Sequence, residues 1–186
     1  MLKNRRGSVI LDALQPIVMA FAIFMTIYLF LFQPHKVDGS SMYPNFHDQE
    51  YILTDKISYE KGIPKRGDVI VFHAPPPNNA DFIKRIIGMP GETIEVKSGF
   101  VYINGRKLPE TYLPLNLQTV QKSFLRDGVP YAIPPGYYMV FGDNRNFSSD
   151  SREWGPIARS SIVGKAWVRY WPPSAAEIIP HAKYPF

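Results

Sequence analysis

Cysteine is absent from the 186 residues, which removes disulfide frameworks, thiolate zinc sites and a cysteine nucleophile together. Any covalent chemistry must use another group. A large excess of one charge is lacking too: 21 basic against 16 acidic residues leave +5 at pH 7, and beyond the N-terminal apolar run there is no run of like charge, so no nucleic-acid signature is seen. Metal-ligand spacings are missing. His47-Asp48-Gln49-Glu50 lacks the second histidine of a zinc helix, no other His/Asp/Glu spacing suggests ligands, and neither metal nor cofactor is expected. Glycine and proline, 13 and 18 residues, fall short of low-complexity proportions, while 45% hydrophobic and 14% aromatic content suffices for one core.

What is present is unevenly placed. From 17 to 32 every residue is apolar except Thr26 and Tyr28, and the apolar character reaches back to Val9 with interruptions at Asp12, Gln15 and Pro16. At ~1.5 Å per residue the run from 9 to 32 spans roughly 36 Å as a helix, enough for a ~30 Å hydrocarbon layer. Lys3, Arg5 and Arg6 precede it and should hold that end in the cytoplasm. No small-x-small site follows Phe32, so the run reads as a retained anchor rather than a removed signal peptide. The expected organisation is a basic cytoplasmic segment 1–8, a transmembrane anchor 9–33 in a lipid bilayer, and an extracytoplasmic domain 34–186.

After Pro34 no long window shows a helical period, whereas short β-rich runs separated by Gly, Pro and Asn recur. The fold class is therefore mainly β. Expected strands are 51–54, 68–72, 81–88, 93–96, 100–103, 137–141 and 161–170. Asn104-Gly105 is the strongest hairpin signal, because a type I′ turn needs two residues that tolerate positive φ. Residues 108–135, with scattered prolines, read as an insertion or small subdomain.

Three segments could carry chemistry. Along 81–88, alternation puts Phe82, Lys84 and Ile86 on one face; a lysine covered by apolar neighbours loses solvation and becomes a usable neutral base. An edge-strand lysine reaching water fits the same pattern. Ser40 and Ser41, just past the anchor, offer hydroxyls, yet a serine needs a base to become a nucleophile and otherwise reads as a turn residue. The loop 142–152 is dense in Asp, Asn, Arg and Ser, which suits either function or self-satisfying turns.

Together the segments resemble the type I signal peptidase family. They read Ser41-Met42-Tyr43-Pro44, then Gly67-Asp68-Val69-Ile70-Val71-Phe72, then Lys84-Arg85-Ile86-Ile87-Gly88-Met89-Pro90-Gly91, then Gly142-Asp143-Asn144-Arg145 through Arg152. The order matches the family's, and with the anchor the resemblance covers nearly the whole chain. It implies an extracytoplasmic, antiparallel, β-barrel-like catalytic domain at a bacterial cytoplasmic membrane. It further implies a Ser/Lys dyad that removes signal peptides from secretory precursors after small-x-small sites, with the translocation machinery as a further partner. Ser41 would be the nucleophile, Lys84 the neutral base and Ser148 the hydroxyl that positions the amine. The Ser41 amide would donate to the oxyanion; Gly39 stands where many members carry a second hydroxyl donor, and Ser40 could substitute. Arg85, Asp143, Arg145, Asp150 and Arg152 would be structural support. Met42, Tyr43, Phe82 and Ile86 would line the substrate wall, with core packing the alternative for Phe82 and Ile86.

Rival readings have less behind them. No Gly-x-Ser-x-Gly elbow supports a Ser/His/Asp hydrolase, and Ser58-Tyr59-Glu60-Lys61 lacks the companion motifs of penicillin-binding enzymes. Signal peptidases of the endoplasmic reticulum place histidine where Lys84 stands. A membrane-tethered β module that binds extended peptides without cutting them is the alternative from another class.

Overall fold

The computed structural model describes residues 5–77, 80–182 and 184. Helix α1 spans Arg5–Leu31 and contains Pro16. Among the described residues no helix is long and apolar enough to cross a membrane, so the anchor rests on the sequence run alone; Lys3 of its basic flank lies outside the described residues. Phe32 and Gln33, expected in the anchor, belong instead to strand β1, Phe32–Lys36. They do so because β1 pairs along its full length with β2, Tyr51–Asp55. Pro34 is tolerated there because β1 ends its sheet and needs no donor on its outer side.

The remaining strands are β3 (Val69–His73), β4 (Asp81–Gly88), β5 (Thr93–Lys97), β6 (Phe100–Ile103), β7 (Arg106–Lys107), β8 (Tyr131–Ala132), β9 (Tyr137–Phe141), β10 (Ile157–Ala158), β11 (Ile162–Trp171) and β12 (Glu177–Ile178). All seven strands expected from the sequence form, each within a residue of its expected ends. Two one-turn helices, α2 (Ser58–Lys61) and α3 (Ser151–Trp154), interrupt the β pattern. The named strands pair antiparallel in two sheets. One has the order β1-β2-β11-β3-β4-β9-β10 with β12 added to β11, and the other runs β7-β6-β5-β8. Asn104 and Gly105, at φ 50° and 78°, make the expected tight turn between β6 and β7.

The two sheets share a core. Ile87, Met139 and Phe141 of the larger sheet pack with Ile94, Val96, Val101 and Ile103 of the smaller one, and with Leu125 and Ile133 from 108–135. The expected insertion is thus woven in: it supplies β8 and the three core side chains Leu108, Leu125 and Ile133. Burying each such side chain contributes roughly 1.5–3 kcal/mol.

The larger sheet cannot be flat. β1 and β4 are four strand spacings apart, roughly 19 Å at ~4.8 Å each, yet His35 Nε2 on β1 lies 3.3 Å from Asp81 Oδ2 on β4. The sheet therefore curls back on itself over β1 to β4. Register shifts in β11 against both β2 and β3 supply the bend.

Candidate active site

β4 pairs with β3 from Val69↔Arg85 to His73↔Asp81, but with β9 only from Arg85 to Gly88. β9 ends at Phe141 and the chain turns off at Gly142, which leaves the other edge of 81–84 free of β9. The segment 37–46 comes into this space, pinned by Met42 and Phe46 in the core with Val37, Ile52, Val69 and Val71. Its backbone is tied on both flanks. Gly39 N donates to Asp48 Oδ1 at 2.8 Å, while Asn144 donates from N to Ser41 O (3.1 Å) and from Nδ2 to Ser40 O (3.0 Å).

This brings Ser41 Oγ to 2.9 Å from Lys84 Nζ, across 43 residues of sequence. The amine also donates to Ile83 O at 2.9 Å. Lys84 is 4% exposed. Burial pulls its pKa down to about 8, with the carboxylates of Asp150 and Asp143 pulling back the other way. An amine held this way is largely deprotonated in mildly alkaline solution, and its lone pair can accept the Ser41 proton.

Gly142 makes the closeness possible. A Cβ there would lie 2.1 Å from Ser148 Oγ and 2.4 Å from Ser41 O, so only glycine lets the loop pass between these two serines. Ser148 Oγ is buried and has no hydrogen-bond partner among the described residues. No hydrogen bond joins it to the Lys84 amine in this arrangement, although the resemblance expected one.

The five support residues form buried pairs. Asp143 accepts from Arg85 Nε (2.9 Å) and Nη2 (2.7 Å), and Arg85 Nη1 donates to Gly67 O at 2.9 Å. Asp150 accepts from Arg152 Nε (2.8 Å) and Nη2 (2.6 Å) and from Gly142 N (3.0 Å). Burial works against the Asp150 charge, but Arg152 and the Gly142 amide hold its pKa below the usual carboxylate range. Arg145, fully buried, donates to Glu110, to Thr119 Oγ1 (2.6 Å) and to Gly142 O (3.1 Å). Glu110 and Thr119 were not foreseen. Glu110 was discoverable, since it and Asp127 are the acidic residues of 108–135. Asn45, also unforeseen, donates to Asp143 Oδ2 (2.8 Å) and Tyr112 O (3.1 Å), joining the Ser41 loop to the charge network.

A groove of about 360 Å³ runs from Ser41 and Lys84 to His35 and Asp81. Of the four residues expected on its wall, Phe82 lines it. Met42 and Ile86, expected on the wall, are core residues instead, 1% and 0% exposed: Met42 packs with Ile52 of β2 and Val69 and Val71 of β3, and Ile86 packs with Ile70, Phe72, Tyr138 and Val140. Tyr43 is exposed with its ring edge-on to His47, away from the groove lining. The floor is instead Ile52, Val71 and Ile83. Ser40 is exposed, and its carbonyl accepts from Asn144.

Residues 10–171 match the family model described as signal peptidase, peptidase S26. Signal peptidase IB of Staphylococcus aureus (strain COL) is 38% identical over 174 residues, 88% of this chain and 90% of that protein. Signal peptidase I of Leptolyngbya laminosa is 36% identical over 175 residues, 90% of this chain and 83% of that protein. A crystal structure of a signal peptidase I from Enterococcus faecalis V583 aligns at 34% identity and a TM-score of 0.47, covering 55% of this chain and 96% of that one.

Proposed function

The chain belongs to the signal peptidase family, peptidase S26, and from that membership we propose how it acts as a serine endopeptidase that removes signal peptides. Ser41 is the nucleophile and Lys84 its base. The neutral amine takes the Ser41 proton as Oγ bonds to the scissile carbonyl carbon, and returns it to the leaving nitrogen as the C–N bond breaks. Water, deprotonated by the same amine, then releases the acyl group. The Ser41 amide and the Ser40 hydroxyl are proposed to face the developing oxyanion. Ser148 is proposed to receive the Lys84 N–H once Ser41 is consumed as an ester. The observation that carries this reading is the 2.9 Å contact between a buried lysine amine and a serine hydroxyl.

The precursor lies extended along the unpaired edge of 81–84, adding a strand to the curled sheet, with small side chains before the scissile bond entering the apolar groove. The apolar run 9–33 is proposed as a single membrane anchor with its basic flank cytoplasmic and the β domain outside, at a bacterial cytoplasmic membrane near the translocation machinery. Purified full-length protein in detergent, given a synthetic precursor, should cut once after a small-x-small site, read by mass spectrometry. Ser41→Ala should leave the precursor intact.

The amine also predicts a pH profile. With a pKa of about 8 in the folded protein, the competent neutral form is lost as pH falls. The value of kcat/KM should drop about tenfold per pH unit below 8 and level off above it. Steady-state rates from pH 6 to 10 check this, and a flat profile contradicts Lys84 as the base.

A further inference from the structure

Asn144 holds both carbonyls that flank the Cα of the nucleophile. Its side-chain amide donates to Ser40 O at 3.0 Å, and its backbone N–H donates to Ser41 O at 3.1 Å. Ser40 O accepts a second bond, from Tyr43 N at 3.1 Å, within the loop's own turn. The Ser41 N–H, by contrast, gives a hydrogen bond to no described residue. One unused donor therefore sits beside the reactive hydroxyl.

Peptide planarity turns these contacts into a direction. The bond from Ser40 to Ser41 is trans, so its C=O and N–H point to opposite sides. Fixing the Ser40 carbonyl toward Asn144 thus fixes the Ser41 N–H away from it. Ser41 lines the groove and Asn144 does not. A carbonyl that accepts two bonds also polarises its own amide and makes that N–H a stronger donor. Tyr43 N belongs to the same turn and moves with it, so the anchor from outside the loop is the one on Asn144.

We propose that Asn144 is a positioning residue for the oxyanion: its side-chain amide sets the plane of the 40–41 peptide so that the Ser41 N–H is already aimed at the scissile carbonyl oxygen as that oxygen gains charge. The inference rests on the peptidase reading. Asn144 touches neither the substrate nor the reacting atoms; it acts by sparing the donor any reorientation during the chemical step. Removing an oxyanion donor outright costs about 10²- to 10³-fold in kcat, and releasing its plane while the donor remains should cost less, about 30-fold.

Full-length protein in detergent, cutting a synthetic precursor from pH 6 to 10, tests this. Asn144→Ala keeps the backbone bond to Ser41 O and removes the side-chain donor. Its kcat on the alkaline plateau should fall about 30-fold with KM within about twofold of wild type. The acid limb near pH 8, set by Lys84, should stay where it is. Asn144→Asp has the same size but turns an acceptor toward the Ser40 carbonyl, so its plateau kcat should fall about 100-fold. A plateau kcat within about twofold of wild type in either variant means that the side chain only fills space, and overturns the proposal. A loss confined to KM, or a displaced acid limb in Asn144→Ala, also overturns it, because the residue then acts through substrate binding or through Lys84. In each of these cases wild type cleaves and the peptidase reading stands. A wild type that leaves the precursor whole overturns both. If Asn144→Asp fails to fold by circular dichroism, Asn144→Ala decides alone.

Discussion

Lys84→Met is expected to abolish precursor cleavage, by at least about 10⁴-fold in kcat, and at the same time to stabilise the fold at neutral pH. The two effects have one cause. In the unfolded chain the lysine titrates near ~10.4, whereas in the folded protein burial brings it to about 8. Between those values the unfolded chain holds a proton that the folded chain has released, so stability rises with pH across that window. Below pH 8 the folded protein carries a buried ammonium at its full cost, about 3 kcal/mol for a shift of this size. Methionine has similar length and no charge, so the variant should gain about 1–3 kcal/mol at pH 7, and the gain should shrink toward pH 10. Urea melts of both proteins at pH 7 and pH 10, beside a cleavage assay, measure this. Retained cleavage, or a gain that does not shrink with pH, would show that the buried amine is not the base.

The same residue shows where sequence reading works and where it stops. The strand 81–88 was legible because alternation, β-branched residues and a following Met-Pro-Gly are all local, and its lysine was flagged by apolar neighbours on the same strand. The β1 strand was not legible: it follows an apolar run without a break and contains Pro34, which argues against a strand anywhere but at a sheet end. Alternation grouped Ile86 with Lys84 on one face correctly. It could not say that Ile86 packs into the core with Tyr138 and Val140 of β9, whereas Lys84, beyond the end of β9, meets Ser41 of the incoming segment.

Long-range pairs were harder still, whether they meet through the curl of the sheet or within the buried charge network. His35 and Asp81 are 46 residues apart, and Arg145 and Glu110 are 35 apart. No local pattern announces such pairs. A fully buried arginine nevertheless requires an anion, and asking which acidic residue could serve Arg145 would have led to the insertion.

Asp143→Ala is expected to cost the fold about 3–5 kcal/mol. Asp143 has no solvent exposure and accepts three hydrogen bonds, two from Arg85 and one from Asn45. Its removal strands the Arg85 guanidinium, which is 4% exposed and cannot shed its proton. At ~2–4 °C per kcal/mol for a chain of this size, Tm should fall by about 10 °C. A second consequence separates this pair from a purely structural one. Asp143 is among the carboxylates that hold the Lys84 pKa up against burial; without it, and with Arg85 uncompensated nearby, the amine should lose its proton more readily. The acid limb of the kcat/KM profile should therefore move to lower pH even as the protein becomes less stable. Replacing both partners, Arg85→Met with Asp143→Leu, removes the stranded charge and should recover most of the lost stability, without restoring the tie from Asn45 to the nucleophile loop. A single Asp143→Ala variant within about 1 kcal/mol of wild type would mean that Arg85 finds water or another acceptor, and that the pair does not hold Ser41 and Lys84 in register.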